Sequence, residues 1–421
     1  MVRDGQGRCK FVNGDIYDGT WDDGIQHGKG SLTKPDGYYY EGDWVHGVNT
    51  GKGMEKHPNG ERYEGDFVNG IRQGVGKYFY LNGDVYEGDF EQGIREGKGK
   101  LSETGGYFYE GDWKADKANG IGLQKWPDGD YYEGDFVDDL REGTGTYHYN
   151  NGSFYKGDWH EGMKHGKGVM EVQDYSIYDG DWHLDKKHGK GTQKWIGKCE
   201  WAGDQYTGDF ADGYRQGHGD YNYANGDLYV GAWKKGKRSG HGKLTQQRGY
   251  TYVGEWDFDS EHGIGHQEWW GESEWKDESY KGAMRKGFRN GNGTYYYRNG
   301  DTYEGEWIDG KRDGKGKLTQ CDHSEYEGQW ANGKKNGKGT LKILNADPRD
   351  PTAVETYIGM FRNDEREGEG VYLYSDGTKY EGQWKGNERF GLGRQFDEDG
   401  KMMHEGVWDG DKYKGKVRKT K

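Results

Sequence analysis

Proline, cysteine and aliphatic residues are the scarce components of this chain, and each scarcity narrows what it can be. Only 5 prolines occur in 421 residues, so proline-rich linkers and polyproline segments are excluded as an organising theme. The 3 cysteines, Cys9, Cys199 and Cys321, lie more than a hundred residues apart. That spacing gives neither a disulfide framework nor a metal knuckle and fits reduced cytosolic thiols. Apolar residues make up 30% of the sequence, far below the usual 45–50%, so a conventional three-dimensional core cannot be filled. No run approaches the ~18 apolar residues of a membrane-spanning helix, and the N-terminus lacks a signal-peptide core. A formal net charge of −14 argues against binding nucleic acid or an anionic leaflet through bulk electrostatics.

What is abundant is glycine (80), tyrosine (35) and tryptophan (17). Disordered chains are poor in aromatics, so these rings must be buried in a thin or linear arrangement. That profile is one of internal repetition. Aligned on Tyr-x-Gly-x-aromatic, units start at Tyr 17, 40, 63, 86, 109, 132, 155, 178, 206, 229, 252, 280, 303, 326, 357 and 380, with a seventeenth at His404. Twelve of the fifteen Tyr-to-Tyr intervals are 23 residues; the others are 28, 28 and 31. Counting from each start as position 0, position 2 is always Gly and position 4 is Trp eleven times, Phe five times and Met once (Met284). Position 11 is Gly in every unit from Gly28 to Gly415, and position 13 is Gly in all but the last, where Val417 stands. Gly5-Gln6-Gly7 and Asn13-Gly14-Asp15 read as the back half of a further unit, residues 1–16.

Positions 0, 2 and 4 share one face of a strand, because side chains alternate. The spacing predicts a first strand through Tyr-x-Gly-x-Trp, a turn (Val45 to Thr50 in one unit), and a second strand starting at Gly-x-Gly. Asn-Gly or Asp-Gly turns such as Asn59-Gly60 and Asp128-Gly129 then lead to the next unit. Both glycines of Gly-x-Gly are expected to leave bare backbone over which neighbouring rings lie flat, in a continuous aromatic row that replaces a core. On the other face, Asp or Glu of the first strand is expected to pair with Lys29, Lys52, Lys98 and Lys167 of Gly-Lys-Gly.

Units such as Tyr40-Glu41-Gly42-Asp43-Trp44 followed by Gly51-Lys52-Gly53 resemble the MORN (membrane occupation and recognition nexus) repeat. The resemblance covers essentially the whole chain, residues 1–421, as one continuous array with a basic tail at 412–421. The fold expected is all-β: an elongated, single-layer, twisted antiparallel sheet, a β-hairpin solenoid of about 17 repeats. Proteins made almost wholly of MORN repeats are similar to components of ciliary axonemes, especially radial-spoke heads, and of cortical cytoskeletons. The resemblance therefore implies a cytoplasmic, cytoskeletal scaffold for other proteins, with membrane tethering as the alternative that the family's name suggests. Basic residues Lys164, Lys167, Lys186, Lys187, Lys234, Lys235 and Lys237 and the tail Lys412 to Lys421 are the candidate lipid contacts, opposed by the overall negative charge. The exposed terminal strands suggest homodimerisation through the end repeats.

A longer period runs inside the short one. Position 15 cycles as Tyr78, Leu101, Gln124, then Tyr147, Met170, Gln193, then Tyr221, Leu244, Gln267. The Tyr-bearing units carry Arg72, Arg141, Arg215, Arg289 and Arg366 at position 9; the period reads either as the trace of an ancestral three-unit duplication or as a candidate ladder presented every third hairpin. The three insertions, Ile196–Gln205, Trp270–Ser279 and Leu344–Thr356, close successive trios. A partner segment or amphipathic helix is expected in a groove lined by Tyr17, Trp21, Tyr40, Trp44, Tyr109, Trp113, Tyr155, Trp159, Tyr303, Trp307, Tyr326 and Trp330. No catalytic site, metal site or cofactor is expected. There is no Gly-x4-Gly-Lys-Ser/Thr and no Gly-x-Ser-x-Gly, no histidine clusters with a cysteine, and the acidic residues recur with the repeat instead of standing singly.

Overall fold

A computed structural model describes residues 3–344, 350 and 352–416. Val417, the end of the basic tail, and residues 345–349 and 351 of the third insertion lie outside the described residues. The chain is all-β, with 35 strands joined antiparallel in one open sheet and no helix among the described residues. It divides into two compact units: Met1–Gly203 with Phe210–Gly213, and Asp204–Asp209 with Tyr214–Lys421. The same hairpin builds both.

The hairpin that starts at Tyr132 shows how. Strand Tyr131–Val137 turns through Asp138-Asp139, both at positive φ (48° and 71°), into strand Leu140–His148. Two consecutive positive φ values make the tight turn whose twist matches the strands it joins. The return to the next unit is wider: in Tyr149–Ser153, Tyr149 N–H donates to the Ser153 carbonyl at 2.9 Å and Gly152 takes φ 87°.

Between these turns the register slips. Gly134 pairs with Gly145 and Phe136 with Arg141, so Asp135 alone faces Glu142, Gly143 and Thr144. The bulge corrects the sequence expectation in two respects. The second strand starts three residues before Gly-x-Gly, at Leu140. The glycine at position 11 does not make room for a ring; it supplies a positive φ (66° at Gly143), as it does in all seventeen units. Positions 2 and 13 do make room, and for the unit's own tyrosine: a Cβ on Gly145 would lie 2.5 Å from Tyr132 Cε2 and closer still to Cζ and Oη.

A bulge leaves backbone groups without ladder partners, and the repeat supplies them from its own side chains. The Asp135 carboxylate accepts the Thr144 N–H at 2.9 Å, and the Tyr132 hydroxyl donates to the Asp135 carbonyl at 3.2 Å. Asp43, Asp89, Asp112, Asp158 and Asp181 serve the same N–H in their units. Replacing Asp135 by Ala is expected to cost about 1 kcal/mol, the low end of the range because water reaches the freed N–H. Asp135→Asn, which keeps an acceptor, should cost less than half of that, and Glu133→Ala on the same exposed face should be silent in urea denaturation. Equal losses from all three would contradict the capping role.

The other carboxylate oxygen reaches the neighbouring hairpin. Lys29 meets Asp43 at 2.6 Å, Lys52 meets Asp66 at 2.7 Å, Lys98 meets Asp112 at 2.5 Å, and Lys167 pairs with Asp181. The four expected lysines are all paired. Their exposure keeps each pair to about 1 kcal/mol or less.

Candidate interaction surface

The aromatic face is built in two layers. In the lower one position-0 tyrosines meet two position-4 rings edge-on, save Tyr252 and Tyr280, which flank Met284: Tyr17 lies 5.0 Å from Trp21 and 5.2 Å from Trp44, at 85° and 82°. Tyr303 repeats this with Trp307 and Trp330 at 5.1 and 5.2 Å. The rings form a herringbone of edge-to-face pairs, not the flat stack expected from sequence; the ring quadrupole favours this geometry. All sixteen position-0 tyrosines donate their hydroxyl to the carbonyl three residues on, from Tyr17 (3.0 Å) to Tyr380 (3.1 Å). Each position-4 tryptophan donates its indole N–H to the position-13 glycine carbonyl of the preceding hairpin, as Trp44 does to Gly30 at 3.0 Å and Trp330 to Gly316 at 3.0 Å. The indole thus ties repeat to repeat. Burial pushes the Tyr17 phenol up to about 12 and raises the others in the same direction.

Tyr17, Trp21, Tyr40, Trp44, Tyr109, Trp113, Tyr155, Trp159, Tyr303, Trp307, Tyr326 and Trp330 therefore form a floor, each between 0 and 5% exposed. What is reachable lies above them. Arg72 sits 4.9 Å over Tyr78 and 5.8 Å over Phe90; Arg141 sits 4.4 Å over Trp159, Arg215 4.4 Å over Trp233, Arg289 4.7 Å over Trp307 and Arg366 4.5 Å over Trp384. These five also touch the position-15 tyrosine of their own unit, and that tyrosine reaches back to an acid: Tyr78 to Glu61 at 2.8 Å, Tyr147 to Asp130 at 2.7 Å, Tyr295 to Glu278 and Tyr372 to Glu355. The three-hairpin period is thus a recurring cluster of Arg, Tyr and carboxylate.

The ladder is longer than the sequence suggested. Arg95, Arg238, Arg312, Arg389, Lys164, Lys187 and Lys335 occupy the same position 9 and lie over the same rings, for example Arg95 at 4.1 Å from Trp113 and Arg312 at 4.2 Å from Trp330. Twelve of the sixteen Tyr-initiated units carry a cation there; Gln26, Asn49, Ala118 and Glu261 are the departures. The usable signal was a cation two residues before the position-11 glycine.

Large exposed rings stand off the repeat register. Trp201 is 43% exposed, Trp270 39% and Trp275 50%, and all three lie in the first two insertions. On the opposite face the glycine backbone floors shallow furrows. One of about 620 Å3 in the first unit has Lys98, Glu110, Ile121 and Glu133 as walls, and one of about 1140 Å3 in the second has Lys281, Glu304, Lys315 and Glu327. Among the described residues no group of three or more His, Cys, Asp or Glu is placed to hold a metal ion, and no helix is long and apolar enough to cross a membrane.

Comparison with curated proteins gives no match. Among solved structures, the TCP domain of Drosophila melanogaster SAS-4 in complex with a proline-rich motif of Ana2 is 15% identical, with 49% of this chain and 90% of that one covered and a TM-score of 0.24. The wild-type TCP10 domain of Danio rerio CPAP is 9% identical over 84% of this chain and 99% of that one, with a TM-score of 0.11. These likenesses are too slight to carry an argument. The MORN repeat model, by contrast, matches sixteen segments, from residues 2–16 through 40–62, 132–154 and 303–325 to 380–402. It passes over the unit at Tyr252, whose hairpin Tyr250–Asp257 and Ser260–Trp269 nevertheless keeps the common register, Gly254 opposite Gly265. With its repeats covering most of the sequence and its hairpins saturating their own bulges, the chain belongs to the MORN-repeat family.

Proposed function

We propose that this chain is a non-enzymatic scaffold of the eukaryotic cytoskeleton that holds segments or helices of partner proteins along its aromatic face. The observation that carries this reading is the division of that face into a saturated floor and a periodic upper layer. The register tyrosines and tryptophans have committed their hydroxyls and indole N–H groups to backbone carbonyls. Above them arginine, tyrosine and off-register tryptophan repeat along the chain, and these residue types are enriched at protein interfaces. A partner in the groove rests on the twelve named rings through that layer, with Arg72, Arg141, Arg215, Arg289 and Arg366 as recurring contacts. No cofactor and no nucleic acid belongs to this reading.

The cellular setting, a ciliary axoneme and within it a structure of the radial-spoke-head kind, draws on the resemblance to repeat-only MORN proteins, which is a family-level argument. Self-association through the end hairpins is part of the proposal: strand Gly5–Lys10 is paired with Ile16–Asp22, and Lys412–Gly415 with Met402–Asp409. Cross-linking mass spectrometry in native cells tests the setting. Enrichment of axonemal proteins is expected. Enrichment of plasma-membrane proteins, together with co-sedimentation on anionic liposomes at physiological salt, would overturn it in favour of a phospholipid tether or cortical scaffold.

A further inference from the structure

The cation layer has one reversal of charge, and it coincides with a break in the ring row. At position 9 of the Tyr252 unit stands Glu261, and the following position 4, where every other unit places Trp or Phe, is Met284. The two changes fall on the strands that the second insertion joins, Ser260–Trp269 and Ser279–Arg285. There the chain leaves an open cavity of about 940 Å3, lined among others by Tyr250, Trp256, Glu261, Trp269 and Trp275. Trp269 lies 5.7 Å from Tyr250 and 6.4 Å from Trp275, and Trp275 is half exposed. The Glu261 carboxylate is oriented by Tyr250 Oη, which donates to it at 2.5 Å, and by Gln267 Nε2 at 2.7 Å. Burial raises its pKa. The inserted loop adds Glu272 and Glu274 to the lining. Two arginines, Arg238 and Arg248, also line the cavity, against the four acids Asp259, Glu261, Glu272 and Glu274; Arg238 lies 4.2 Å over Trp256 and donates to the Asp259 carbonyl at 2.8 Å.

Aromatic faces around a held carboxylate form a receptor for a cation, and this chain places its own guanidinium groups against the same ring types in the neighbouring hairpins. We propose that the cavity formed by Tyr250, Trp269, Trp275 and Glu261, whose lining carries more acids than arginines, receives an arginine side chain of a partner polypeptide at the unit where position 9 is an acid instead of a cation. The inserted loop closes one side of this receptor. Its position is fixed by Trp270 N–H donating to the Gly249 carbonyl at 2.8 Å and by the Trp270 indole donating to Thr251 Oγ1 at 3.0 Å. The proposal rests on the protein-scaffold reading and names the chemistry of one contact within it.

A Gly-Arg repeat octapeptide and its citrulline isostere, titrated into the full chain and followed by tryptophan fluorescence, test it. The arginine peptide should bind at least tenfold more tightly than the citrulline peptide. Trp275→Ala, which removes an exposed ring without altering charge, and Glu261→Gln should each abolish most of that difference. Circular dichroism checks that Glu261→Gln has kept its fold, and Trp275→Ala carries the test if it has not. Equal binding of the two peptides, or unweakened binding of the arginine peptide by Trp275→Ala, overturns the proposal. Native cross-links to axonemal proteins would survive that failure, whereas loss of the scaffold reading would show as their absence.

Discussion

Raising the pH of the intact protein from about 10 to about 12 is expected to unfold it in a steep step, with tyrosinate absorbance appearing together with the loss of strand circular dichroism. An unfolded tyrosine ionises near pH 10. Here the sixteen register tyrosines are buried and hydrogen-bonded, and burial raises each phenol, Tyr17 to about 12 and Tyr132 and Tyr303 likewise upward. The sign follows from linkage. A pKa raised by folding contributes stability that is complete below the unfolded value and is lost as pH climbs through the folded one. Between those limits each tyrosine still protonated in the fold costs roughly 1.4 kcal/mol per pH unit. The Asp204–Asp209 and Tyr214–Lys421 unit holds eight register tyrosines, a combined slope of about 11 kcal/mol per pH unit, comparable with the whole stability of an ordinary domain. Gradual ionisation centred near pH 10 with the strands intact would show that the rings are open to solvent.

The second large effect concerns glycine. Gly145→Ala is expected to destabilise the Tyr132 hairpin by on the order of 3 kcal/mol, because the added methyl must displace the Tyr132 ring that packs 2.5 Å from where it would stand. Gly143→Ala, two residues earlier, should also destabilise, by a different route: its Cβ must adopt φ 66°, with the Asp135 carboxylate 2.9 Å away. Gly105, whose Cβ would meet nothing within 4 Å, serves as the silent control. In a quasi-one-dimensional array such defects act on the nearest neighbours, so hydrogen exchange should accelerate around residues 131–160 while distant hairpins keep their protection.

Much of this was legible in the sequence because a fixed repeat writes one local geometry many times. The alternation of Tyr17, Gly19 and Trp21 placed the rings on one face, and the constancy of Gly30 and its equivalents showed that something occupies the space above them. The bulge was not legible. Gly143 and Gly145 look alike in sequence, and what separates them is backbone conformation together with a carboxylate reaching across from Asp135. The cation layer is only partly legible, because Arg95 and Arg238 lack the neighbouring position-15 tyrosine that accompanies Arg72 and Arg141. The receptor around Glu261 depends on Trp269, Trp275 and Tyr250 meeting through an insertion, and no periodic rule predicts where an insertion folds. The sequence signal for Trp201, Trp270 and Trp275 is their position outside the 23-residue register.

The close fit of glycine backbone to tyrosine ring is most directly measured by a double-mutant cycle on Gly145 and Tyr132. Gly145→Ala should be strongly destabilising in the presence of Tyr132 and nearly harmless beside Tyr132→Ala, giving a coupling of roughly 2 kcal/mol or more. Additive losses in the two single variants and the double variant would mean that the glycine column serves some purpose other than making room for the ring.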